Sequence, residues 1–150
     1  MVKVELRSND HAQALEYARQ IQNIQPDLYK GYELAGDALV AGRKYPEAST
    51  AYAKAWQMKQ SSALAIKLSG ANIQSGKPAE ATKPLLVWLS EHPDDVRALQ
   101  LLGNLYLDLG QYEKAVKTYK KLLAVQPDNR TALNNLAWLY SLNSDPKALD

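Results

Sequence analysis

One period governs this chain. Ala14, Ala48, Ala81 and Ala115 step by 34, 33 and 34 residues, and Gly36, Ser69, Gly103 and Ala137 step by 33, 34 and 34. Pro26, Pro93 and Pro127 share that phase, with Gln60 where a further proline would stand. Three independent markers with one spacing define a repeat array. A unit this short cannot bury its own apolar face, so neighbouring units must stack. The phase divides the chain into a partial repeat at 1–28, full repeats at 29–61, 62–95 and 96–129, and a second partial repeat at 130–150.

Within each period the pattern predicts two amphipathic helices. In the unit from Val96, small or apolar residues at Leu99, Leu102, Gly103 and Tyr106 mark one helical face. Gly110-Gln111-Tyr112 breaks the helix. A second stripe runs through Ala115, Val116, Tyr119, Leu122 and Leu123 to the stop at Gln126-Pro127-Asp128. No segment alternates with period two over a useful length, so the expected class is all-α. The small residues let paired helices approach closely, and a leucine there would over-pack the seam by about 1–3 kcal/mol. Pro46, Pro78 and Pro146 fall in first helical turns, where a missing N–H is harmless. Pro84 lies deeper in its helix, which predicts a kink or a displaced start.

Leu99-x2-Leu102-Gly103-x2-Tyr106 with Ala115, Tyr119, Leu122 and Pro127 resembles the tetratricopeptide repeat, as does Tyr32-x2-Ala35-Gly36-x2-Leu39 with Ala48, Tyr52 and Ala55. The unit from Ser62 is degenerate, but its Ala81, Leu85, Trp88 and Pro93 hold the phase. The resemblance covers nearly the whole chain and implies a right-handed α-α solenoid of antiparallel helix pairs. The runs starting at Ala14, Lys83 and Ala132 are also similar to bacterial tetratricopeptide lipoproteins of exosortase (PEP-CTERM) and exopolysaccharide systems. That finer resemblance implies a periplasmic, envelope-facing parent protein.

Composition narrows the chemistry. Among 150 residues there is no cysteine, which excludes disulfides, thiolate catalysis and Cys-ligated metals. With 18 Lys plus Arg against 16 Asp plus Glu, the formal charge of +2 gives no electrostatic case for nucleic acid or an anionic membrane. No apolar run approaches the roughly 18 residues needed to span a bilayer. Charges occupy Met1-Val-Lys-Val-Glu-Leu-Arg where a signal peptide would be apolar. The expectation is a soluble, untargeted chain, cytoplasmic as it stands, that does not insert into a membrane.

Catalytic constellations are not visible. His11, expected in a helix–helix turn, and His92, before Pro93, lack metal-ligand spacing. Asp94-Asp95 precede a helix and suit N-capping. The expectation is a protein that is not an enzyme, with no cofactor and no metal. Tyr45, Tyr52, Tyr106, Tyr112, Tyr119 and Tyr140 repeat in phase with packing positions and are assigned to the inter-helix core.

What remains is a stripe on each first helix, which solenoids expose along a concave surface. The family resemblance supplies its register. It selects Lys30, Glu33, Asp37, Val40 and Ala41, then Ala63, Ile66, Gly70, Ile73 and Gln74. In the later units it selects Arg97, Gln100, Asn104, Leu107 and Asp108, then Thr131, Asn134, Trp138, Ser141 and Leu142. The stripe mixes apolar anchors with amides, which donate and accept and so suit an extended peptide backbone. Trp138 falls outside the packing stripe, as an interface anchor would, or as a residue covered by a further downstream repeat would. Glu33 and Asp37 stand where relatives that grip a chaperone's C-terminal carboxylate carry Lys and Asn, which argues against that ligand.

Both ends read as cut within a repeat. Asn9–Leu28 reads as a second helix whose partner is reduced to Met1–Ser8, and Asp145-Pro-Lys-Ala-Leu-Asp as the beginning of another. Leu133, Leu136, Ala137 and Tyr140 then form an end seam that would lose its cover, predicting an excised piece of a longer array or one that self-associates. The sequence supports a scaffold for a protein or peptide partner, with homo-oligomerisation through the seam as the alternative.

Overall fold

The computed structural model describes the backbone of residues 2–144 and the side chains of residues 10–142. Among the described residues the chain is all helix and turn, in the order α1 (Val2–Ile24), α2 (Tyr29–Ala41), α3 (Tyr45–Met58), α4 (Ser62–Gln74), α5 (Pro78–Glu91), α6 (Val96–Asp108), α7 (Tyr112–Val125) and α8 (Arg130–Ser144). Two compact units divide it, residues 1–84 and 85–150. In the first, α2 packs on α1 and α3, and α3 on α4. In the second, α7 packs on α6 and α8. The connections are too short for anything but helical hairpins.

Those turns repeat as faithfully as the helices. Arg43, Gly76 and Gly110 occupy the same place in three units, and all three are left-handed, with φ of 58°, 73° and 67°. The amides of Lys44, Lys77 and Gln111 reach back to the carbonyls of Leu39, Asn72 and Tyr106 at 2.8–2.9 Å, closing each first helix with a Schellman motif. Glycine adopts that conformation freely; Arg43 does so against its Cβ. Capping side chains start later helices. Oγ of Ser61 accepts from the Leu64 amide at 3.2 Å, and Oδ1 of Asp95 and of Asn129 accept from Ala98 and Ala132 at 3.0 Å.

The small-residue positions show why leucine is excluded. A Cβ on Gly103 would come within 2.6 Å of Tyr119 Cε1, and one on Gly36 would collide with the Tyr52 ring. The glycine is the floor on which the aromatic of the second helix lies flat. Where Ser69 replaces it, the hydroxyl turns to donate to the Ala81 carbonyl at 2.7 Å. Ala48, Ala55, Ala81 and Ala115 are wholly buried, so the helices meet backbone to backbone. In the first unit Tyr52 anchors a core with Leu64, Leu68 and Ala71, against which Trp56 packs.

Several expectations need correction. His11 is not in a turn: α1 runs unbroken from Val2 to Ile24, because no glycine or proline lies between Met1 and Gln25 to stop it. Cap-forming residues at Ser8 to Asp10 do not end a helix by themselves. Tyr112 and Tyr140 are not core residues, being 36% and 46% exposed. Leu136 is only 7% exposed, since it occupies the place of Leu68 and Leu102, which face inward. It therefore does not belong to an uncovered seam, whereas Leu133 and Tyr140 are both open. α5 starts at Pro78, so Pro84 does not displace its beginning; it lies inside the helix without an N–H for the Glu80 carbonyl. Pro146 lies outside the described residues.

Candidate functional site

In the first unit the stripe is an ionic network. Glu33 on α2 is buried, yet it receives Lys30 Nζ at 2.7 Å and Lys67 Nζ at 2.8 Å. Lys67, on α4, also reaches Asp37 at 2.8 Å. Asp37 accepts a further bond from the Tyr52 hydroxyl at 2.7 Å, and the Lys67 ammonium lies 5.9 Å from the centre of that ring. Burial alone would raise the Glu33 carboxyl, but the bonds from Lys30 and Lys67 outweigh it and hold the group below its ordinary range. Burial would likewise lower Lys67, and its bonds to Asp37 and Glu33 reverse that too. Burial first, then the Asp37 acceptor, pushes the Tyr52 phenol far up. The two acids expected to repel a carboxylate are therefore matched by two ammonium groups. Ile66 and Ile73 are half-buried on α4, and Gln74 is exposed.

In the second unit the equivalent network is neutral. Tyr119 donates its hydroxyl to Asn104 Oδ1 at 2.7 Å, while Asn135 Nδ2 donates to the Tyr119 oxygen at 2.7 Å and to Asn104 at 3.4 Å. Asn104 spends its carbonyl on these bonds, which leaves its NH2 for an outside acceptor. Gln100 Oε1 accepts from Asn129 at 3.5 Å. Arg97 and Asn134 are exposed and Leu107 is half-buried. Trp138 is 46% exposed and meets Tyr112 edge to face, with ring centres 6.0 Å apart at 82°.

The sequence reading assigns Tyr52 and Tyr119 to the core and so misses the bonds that tie each stripe together. Tyr52 and Tyr119 bury their rings but deliver their hydroxyls to the stripe. Lys67 and Asn135, each sixth in its unit, cross from the next first helix to meet them. One signal was available: Asp37 to Tyr52 and Asn104 to Tyr119 are both spaced by 15 residues. Acidic residues elsewhere have structural work. Asp95 caps α6 and accepts the Trp88 indole N–H at 2.8 Å, while His92 stacks on that indole at 3.8 Å. Among the described residues, no three His, Cys, Asp or Glu are placed to hold a metal ion, and no helix is long and apolar enough to cross a membrane.

Known proteins share this repeat. A TPR repeat model matches residues 103–144, and a tetratricopeptide repeat model matches residues 85–117. The human protein O-mannosyl-transferase TMTC3 is 27% identical over 177 aligned positions, covering 91% of this chain. The chain spans only 19% of that protein. Among solved structures, YrrB, described as a TPR protein with an unusual peptide-binding site, aligns with a TM-score of 0.76 at 18% identity, over 93% of this chain and 73% of its own. The first TPR of Spaghetti (RPAP3), bound to the HSP90 peptide SRMEEVD, aligns with a TM-score of 0.69 at 21% identity, over 79% of this chain and 94% of its own. At such identities the likeness is one of fold. The 34-residue period and the paired helices closed by a recurring turn, with tetratricopeptide repeat models matching within residues 85–144, give this chain the α-α solenoid fold of the solved TPR structures.

Proposed function

We propose that the chain is a non-catalytic scaffold that binds an extended peptide or protein segment along the first-helix stripes of its repeats. The observation that carries this reading is Asn104. Its carbonyl is locked by Tyr119 and Asn135, so its NH2 is held in a fixed direction without being used up. A preorganised donor in the same stripe register as Arg97, Asn134 and the half-exposed Trp138 suits a peptide main chain with an apolar side chain between amides. Peptide binding by YrrB and by the RPAP3 repeat supports the same use of the fold. The transferase named for the human relative is a property of a much longer protein, and no turnover is assigned to these repeats. Binding of a peptide selected against the full chain tests the reading. Trp138→Ala and Asn104→Ala should each weaken it about tenfold or more, and unchanged affinity in both would refute the stripe as the site.

A second reading, self-association, rests on Leu133 and Tyr140, both 46% exposed, and on a cavity of about 350 Å³ lined by Tyr112, Val116, Leu139 and Tyr140. Because Leu136 is buried, Leu133→Lys is the variant to use: it should abolish any concentration-dependent mass in light scattering and leave peptide binding intact. A mass that stays monomeric across a wide concentration range removes this reading.

A further inference from the structure

The peptide stripe uses only one face of α6. On the opposite face, Leu99, Leu102 and Tyr106 floor a second cavity of about 320 Å³, walled by Leu86 and Leu89 of α5 and by α7. These floor residues lie two places on from Arg97, Gln100 and Asn104, roughly 200° around the helix. The two surfaces therefore cannot be occupied by the same run of peptide backbone.

Both walls depart from the repeat. The place of Leu86-Val87 is held by Ala53-Lys54 in the preceding unit and by Lys120-Lys121 in the following one. Here it is apolar, yet Leu86 is 47% and Val87 46% exposed. Across the cavity, Lys114 replaces the acid found at Glu47 and Glu80, and with Lys117 and Lys121 it lines one edge. All three lysines are exposed, and none forms an ion pair among the described residues. Lys114 donates to Gln111 Oε1 at 2.9 Å and lies 5.5 Å from the Tyr106 ring centre. No carboxylate lines the cavity. An apolar floor beside an unneutralised row of ammonium groups complements one kind of ligand.

We infer that the groove between α5 and α7 is a second docking site, specific for an acidic segment of a protein partner. One apolar side chain of that segment enters between Leu86 and Tyr106 while its carboxylates meet Lys114, Lys117 and Lys121. Charge complementarity would set selectivity and salt dependence, and the apolar pocket would fix register.

The experiment titrates the full chain with a fluorescein-labelled peptide of alternating glutamate and leucine, using its lysine–leucine counterpart as control. Anisotropy should show binding of the acidic peptide only, weakened at least tenfold between low and high salt. The double variant Lys117→Glu/Lys121→Glu should lose at least tenfold in affinity, and Leu86→Ser at least threefold, with the helical circular dichroism unchanged. Trp138→Ala should leave this affinity as it was, which separates the groove from the stripe. Retained affinity in the charge-reversed variant overturns the inference. So does equal binding of both peptides, or binding to phosphatidylserine vesicles with no binding to the acidic peptide.

Discussion

The two halves of this molecule solve one packing problem with opposite electrostatics. In both, a tyrosine ring lies on a glycine, Tyr52 on Gly36 and Tyr119 on Gly103, and its hydroxyl bonds a residue 15 places earlier. In the first half that acceptor is Asp37, and Lys67 completes the network. In the second it is Asn104, and Asn135 completes it. The repeat fixes the geometry while leaving the charge free. That freedom allows the same seam to carry an ionic network in one unit and a neutral amide network in the other.

The shared part should be the more fragile. Gly103→Ala and Gly36→Ala should each destabilise the chain by about 1–3 kcal/mol in urea unfolding, because the added methyl must displace a ring held by a hydrogen bond. If one variant is tolerated and the other is not, the two seams are not equivalent.

The electrostatic difference should show next. Lys67→Met leaves the Glu33 carboxylate with Lys30 alone. It should cost about 1–2 kcal/mol at pH 7, between the values for exposed and for fully buried ion pairs. Asn135→Ala removes only neutral bonds and should cost about 1 kcal/mol, with little dependence on salt. Equal salt sensitivity of the two variants would erase the contrast.

Acid should separate the halves further. Glu33 ionises below its ordinary value near 4.5 in the folded chain, so its stabilisation is present above that value and is lost as pH falls through the depressed one. The Lys67→Met variant should therefore lose less stability than the parent between about pH 5 and pH 3. Alkali should not distinguish them in the same way. Burial raises both Tyr52 and Tyr119 above their ordinary value of 10.0, so both halves keep that contribution below pH 10 and lose it above.

The smallest effect concerns the turns. Gly110→Ala should destabilise by about 1 kcal/mol, whereas Arg43→Gly relieves a left-handed non-glycine residue and should stabilise by up to about 1 kcal/mol. Thermal unfolding of the two variants checks the opposite signs.

The architecture was legible because the repeat writes it several times. The phase of Gly36, Ser69 and Gly103 marks the close approach of helices, and Asp95 and Pro78 mark helix starts. Where the signal was an absence, it was easier to misread. α1 continues past His11 simply because nothing stops it. Leu136 looked like part of an open edge, but its register turns it inward. The stripe residues could be placed on a face from the register that the family resemblance implies. Their cross-helix partners could not, because a tyrosine at a packing position reads as core even when its hydroxyl emerges on the other side. Lys67 and Asn135 join through contacts between successive units, which no single unit's pattern records.

The most direct test of the central claim is a nuclear magnetic resonance titration of the full chain with a selected peptide, following the side-chain amides of Asn104, Gln100 and Asn134 and the indole N–H of Trp138. The account predicts that these four resonances shift together and saturate at one stoichiometric equivalent. Saturable binding that leaves all four in place, and moves only signals elsewhere on the helices, would contradict it.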